Sequence, residues 1–142
     1  MTQPQSPAKP QAKLRHVAIS VPDLEKAAAF YESAFGLKRV NKVETAHGNG
    51  ISLSDGVVNL TLLNFPTDAS AGDERGKDFV GIHHIGFVVD DVEGMTQKVI
   101  DTGARFHKEV KAGEKVDFER KFRDPNGVVF DISHTWVGTG KI

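Results

Sequence analysis

A chain of 142 residues with a formal net charge of −1 has the size of one compact domain or two small modules sharing a core, and it carries no broad field to capture nucleic acid or an anionic membrane. The absence of cysteine excludes disulfides, thiolate ligands and a cysteine nucleophile, which leaves any metal chemistry to histidine and carboxylates. Residues 1–12 are rich in Pro, Gln and Ala, lack a secretory apolar stretch and read as a disordered tail; no later run is long and apolar enough to span a bilayer, so a cytoplasmic protein is expected.

A first module spans 13–65. It opens with a strand from His16 in which apolar and small residues alternate, and Asp23 then caps a helix. Leu24, Ala27, Ala28, Tyr31, Ala34 and Phe35 share one face of that helix, and Gly36 supplies the stop. Three extended stretches follow, at 37–44, 50–54 and 57–64, with Asp55 and Gly56 marking the last reversal. Residues 66–80 read as a linker.

The pattern then repeats in a second module, 81–136. His84 opens a strand, and Asp91 caps a helix carrying Val92, Met95 and Val99 on one side and ending at Gly103. Extended stretches at 104–110, 115–122 and 128–134 follow, with the run from Asp124 to Gly127 as a strong turn, and 137–142 read as a tail. The predicted fold is α+β: two βαβββ modules forming a curved mixed sheet around a metal-binding cleft, with helices on the outer face.

Side chains alternate across a strand, so His16, Ala18 and Ser20 face away from the helix that Val17, Ile19 and Val21 pack under, and His84 occupies the equivalent place in the second module. Asp131 stands mid-strand between Phe130 and Ile132, where an aspartate needs a partner, and a cation is the simplest one. Two imidazoles and one carboxylate suit Fe, Mn, Ni, Zn or Co and leave coordination positions open to a small-molecule substrate. Asp131, Glu44, His47 and Glu119 are the candidate bases, with Asp131 the catalytic choice. Arg120 and Lys121 are candidates for holding a substrate carboxylate or phosphate, and His47, in the loop from Ala46 to Gly50, is a further substrate-side candidate. His83, on the opposite face from His84, reads as a hydrogen-bonded neighbour, and His134 as a minor candidate.

These residues carry a resemblance. The run from Leu14 to Leu24, then Phe30-Tyr31 and the stretch from Phe35 to Leu37, is similar to the opening strand and helix of the vicinal oxygen chelate superfamily, which includes glyoxalase I, methylmalonyl-CoA epimerase, extradiol dioxygenases and bleomycin-resistance proteins. The stretch from Gly81 to Phe87 resembles the opening of its second module, and Asp124 to Ile132 its closing hairpin. The resemblance implies four metal positions, His16, Asn59, His84 and Asp131. Asp131 stands where the family usually has Glu, and Asn59 where glyoxalase I has Glu and the epimerase Gln. An amide cannot accept a catalytic proton, which counts against the strict glyoxalase I mechanism. The implied function is a divalent-metal-dependent lyase or isomerase acting on an α-oxygenated carbonyl compound; a non-haem Fe(II) dioxygenase and a non-catalytic binding protein are the alternatives. A homodimer is the expected assembly.

Overall fold

A computed structural model describes residues 10–140 and 142; most of the expected N-terminal tail lies outside the described residues. The elements run β1 (Ala12–Ser20), α1 (Leu24–Phe35), β2 (Lys38–Thr45), β3 (Gly48–Ser54), β4 (Asn59–Asn64), α2 (Asp68–Ala71), β5 (Gly81–Val89), α3 (Val92–Asp101), β6 (Arg105–Val110), β7 (Glu119–Arg123) and β8 (Val129–Ser133). They build the expected α+β architecture, one open mixed sheet of eight strands in the order β2-β3-β4-β1-β5-β8-β7-β6. Within each module the first strand pairs in parallel with the last, β1 with β4 and β5 with β8. The two modules meet along the antiparallel β1–β5 pair.

That seam fixes which side chains share a face. Val17 and Ile85 are register partners across β1 and β5, so the helix-facing residues of both modules lie on one side. There α1 covers Ile51, Leu53 and Leu62, with Ala28 fully buried between them. On the same side α3 packs Met95 over Val89, Phe122 and Ile132. Both helices start as their sequences dictate: Asp23 accepts from Lys26 N and Asp91 from Gly94 N. Gly36 ends α1 at φ 70°, the left-handed conformation that glycine adopts without a Cβ penalty.

Two local features differ from the sequence reading. The linker contains a single helical turn, α2, closed by a reciprocal capping box between Thr67 and Ser70. The strand expected at 115–122 begins only at Glu119, because Gly113 and Val116 bridge in a tight turn in which Lys115 takes φ 61°. No helix among the described residues is long and apolar enough to cross a membrane.

Candidate metal centre

On the face away from the helices, three adjacent strands bring His16 of β1, His84 of β5 and Asp131 of β8 together, and β7 adds Glu119. One donor atom from each of the four lies within 4.8 Å of all the others. His16, His84 and Asp131 are buried, Asp131 completely. The register shows how the repeat produces this. Gly86, two residues after His84, is paired with Asp131, and Ala18, two residues after His16, is paired with Thr61. Thr61 is therefore the counterpart of Asp131, and Asn59, the register partner of His16, lies two pairs away.

Hydrogen bonds define which nitrogen of each histidine faces the cluster. Asn59 Nδ2 donates to the Val137 carbonyl at 3.0 Å, which leaves Oδ1 as an acceptor for Thr61 Oγ1 at 2.6 Å and for His16 Nδ1–H at 2.8 Å. His16 thus presents a bare Nε2. On the other side the Ala71 carbonyl can only accept, so His83 Nε2 carries the proton. Burial lowers the pKa of His83 and keeps it neutral; its bare Nδ1 accepts from His84 Nδ1–H at 2.8 Å. His84 Nε2 is then also bare, and it lies 3.3 Å from His16 Nε2 and 3.1 Å from Asp131 Oδ2. Burial, reinforced by the Lys121 charge, depresses the His84 pKa well below that of a free imidazole, so protonation does not relieve this gathering of lone pairs.

The carboxylates point the same way. Asp131 Oδ1 is buried without a hydrogen-bond partner among the described residues, a situation that costs stability unless something positive is bound. Glu119 Oε2 lies 3.9 Å from His16 Nε2 and accepts from the Trp136 indole N–H at 3.3 Å. Two imidazoles held by partners behind them, together with two carboxylates, are the donor set of a divalent transition-metal site, and these residues fit such an ion. Lys121 is the resident positive charge, with Nζ 2.7 Å from Asp131 Oδ2. Burial works against its charge, but Glu119 and Asp131 outweigh that penalty and raise its pKa.

One wall of the site comes from the segment after β8. The Trp136 indole stacks on His16, with centroids 4.6 Å apart and planes 3° from parallel, and it is almost fully buried. Val137, Gly138 and Gly140 tie this segment to Asn59, Ser54 and Val57 of the first module.

The remaining sequence candidates divide between the site and the rest of the surface. Asn59 stands behind His16 and orients it. Arg120 alternates to the helix side, where Glu109, Glu93 and Thr96 hold its guanidinium. Lys121, its neighbour, points to the cluster, since successive strand residues cannot share a face. His47 and Glu44 are exposed at the β2–β3 hairpin, and His134 is exposed beyond β8. Sequence reasoning named Glu119 only as one base among several. It missed Thr61, visible by extending the repeat to the strand pairing, and Trp136, which follows no periodic pattern.

Fold and cluster together define a paired-βαβββ protein of the vicinal oxygen chelate type. The chain belongs to the Glyoxalase/Bleomycin resistance protein/Dioxygenase superfamily, whose family model matches residues 13–132. It is 32% identical over 102 residues to an ethylmalonyl-CoA/methylmalonyl-CoA epimerase of Cereibacter sphaeroides, an alignment covering 66% of this chain and 72% of the relative. It is 35% identical over 107 residues to the human mitochondrial methylmalonyl-CoA epimerase, covering 71% of this chain and 60% of that protein. A structure of methylmalonyl-CoA epimerase in complex with methylmalonyl-CoA and NH4+ superposes with a TM-score of 0.71 at 22% identity, over 85% of this chain and 92% of that one. That similarity shows the shared fold, and with curated enzymes among its sequence relatives the chain is an enzyme of this superfamily.

Proposed function

We propose that the chain is a divalent-metal-dependent isomerase of the epimerase type, moving a proton on the carbon beside a substrate carbonyl. The observation that carries this reading is the convergence of two bare Nε2 atoms with the Asp131 and Glu119 carboxylates on the face of the sheet away from the helices. His16, His84 and Asp131 would hold the ion, with Glu119 the fourth donor or the base. When bound, the ion supplies Lewis acidity toward a carbonyl oxygen and a neighbouring oxygen of the substrate. Fe, Mn, Ni, Zn and Co all suit this donor set.

The chain's own residues supply the rest. Glu119 is the less buried of the two carboxylates and stands beside His16, where it can take the proton from the substrate carbon. The electron pair left behind moves onto the carbonyl oxygen, and a proton delivered from solvent to the opposite face of the same carbon restores the carbonyl with inverted configuration. Asn59 and His83 keep both imidazoles from offering an N–H to the substrate. Trp136 lies flat along His16 and excludes water from that side. In the position symmetric to Asp131, Thr61 offers a hydroxyl, so the second carboxylate of a strict glyoxalase mechanism is absent from that strand. An Fe(II) oxygenase would draw on the same two histidines and one carboxylate.

The substrate in this reading is a small acyl thioester with oxygens near the acidic carbon, the chemistry named in the epimerase relatives. A cytoplasmic homodimer belongs to the same reading, since Phe30 and Phe35 of α1 are exposed and offer a second copy apolar area to cover. The decisive experiment incubates untagged protein with methylmalonyl-CoA in D2O and follows the α-proton by NMR. Metal-dependent loss of that signal, abolished in Glu119→Gln, is expected. Exchange that proceeds equally after chelation, or that survives Glu119→Gln, refutes the assignment.

A further inference from the structure

The two oxygens of Asp131 stand in different situations. Oδ1 is buried and has no partner among the described residues, whereas Oδ2 faces the bare His84 Nε2 at 3.1 Å and is already held by the Lys121 ammonium at 2.7 Å. Asp131 can reach an ion through either oxygen, but the one that faces the bare His84 Nε2 carries a resident positive charge, 2.7 Å away, that any ion in the cluster must meet. Lys121 reaches it directly across the ladder, because Lys121 and Asp131 are register partners in β7 and β8. Among the described residues its other acidic neighbour is Glu119, with Oε1 at 3.9 Å from Nζ.

We infer that Lys121 is a built-in counter-cation of the centre: it neutralises Asp131 in the metal-free protein, and a divalent ion must displace it to bind. The inference rests on reading the cluster as a cation site, and it adds a device that sets the affinity of that site. With buried charges, like-sign repulsion over a few ångströms is large, so an ion and an ammonium cannot both sit on one carboxylate oxygen. Without the lysine, Asp131 and Glu119 would face each other across two lone-pair donors with nothing positive between them. Lys121 therefore keeps the empty cluster folded and raises the threshold an ion must pass. Its flexible four-carbon stem lets the ammonium leave without moving the strand, and Glu119 Oε1 stands 3.9 Å from it as a second acceptor.

The test titrates chelator-stripped full-length protein with Co2+, reading calorimetry and the visible spectrum, in wild type, Lys121→Gln and Lys121→Met. Lys121→Gln retains a donor to Asp131 without the charge, so it guards against loss of folding in Lys121→Met. Both variants are expected to bind Co2+ about tenfold more tightly or better, and to melt at lower temperature than wild type when metal-free. Co2+ binding by Lys121→Gln where wild type shows none would support the inference as strongly. If wild type binds Co2+ and Lys121→Gln binds no more tightly, the counter-cation idea fails while the metal-site reading stands. If no form binds Co2+, both fall.

Discussion

Gly86→Ala puts one methyl group where the centre has no room for it. A Cβ at this position would stand 2.7 Å from Cη2 of Trp136 and 3.0 Å from both Cβ and Cδ2 of His16. Carbon atoms in contact prefer about 3.5–4.0 Å, so at least one ring must move. Gly86 is not in a left-handed conformation, and alanine on its own would stabilise a strand relative to glycine by about 0.5–1 kcal/mol. Overpacking of this kind costs about 1–3 kcal/mol. The net expectation is a loss of about 1–2 kcal/mol, a visible fraction of the roughly 5–15 kcal/mol that hold a domain together. Because His16 is one of the two rings that must yield, divalent-metal affinity should fall as well. Urea unfolding followed by circular dichroism reads the first effect, and calorimetric titration with Co2+ the second. Gly113→Ala is the control, since its added Cβ would meet nothing nearer than Val116 Cβ at 4.0 Å; it should leave metal affinity unchanged and shift stability by no more than the roughly 0.5–1 kcal/mol of the glycine-to-alanine change itself. A Gly86→Ala protein matching wild type in stability and affinity would show that the His16–Trp136 stack is not packed as described.

Trp136→Phe keeps a ring over His16 but loses the N–H to Glu119, so it should cost about 1 kcal/mol, whereas Trp136→Ala should cost about 3–5 kcal/mol; an unchanged urea melt for Trp136→Phe would deny the hydrogen bond a role, and equal losses in the two variants would deny the ring one. His83→Ala removes the acceptor that fixes the His84 tautomer and should weaken metal binding by about 10–100-fold, and an unchanged Co2+ isotherm would remove His83 from the support of the site. His83 and His84 have depressed pKa values in the folded protein, chiefly through burial, while in the unfolded chain they titrate near pH 6.5. Below that pH the unfolded state binds protons that the folded state refuses, so stability is complete above about pH 6.5 and declines as pH falls. Melting temperatures of metal-free protein measured from about pH 7.5 down to 5.5 should drop steadily, and a flat or rising profile contradicts the assignment of both rings as neutral.

Much of this architecture was legible in the residues because the chain writes its fold twice. The two His-led strands, each followed by an Asp-capped helix, exposed the module, and alternation alone put His16 and His84 on the face away from the helices. Asp131 betrayed itself by standing between Phe130 and Ile132. The strand partners were harder to read. Asn59 was carried over as a ligand from a family position, and the register that sets it beside His16, with Thr61 opposite Ala18 as Asp131 is opposite Gly86, is not written in the residues. On β7 the late strand start, forced by the turn at Lys115, hid which residues lay in the ladder, and Arg120 and Lys121 were treated alike although adjacent strand residues face opposite ways. Trp136 belongs to no strand or helix, so no periodicity could announce it.

The stretch from Trp136 to Gly140 has a consequence for the order in which the molecule assembles. The first module holds His16, yet the ring that covers His16 and the carbonyl that orients Asn59 both come from residues beyond β8. During synthesis from the N-terminus, residues 12–64 can form their strands and helix while the surroundings of His16 stay open to water. Closing them joins segments far apart in sequence, the kind of contact whose loop-closure cost slows folding. The centre is therefore among the last parts of the protein to become dry, and any chemistry that depends on excluding water has to wait for that final stitch.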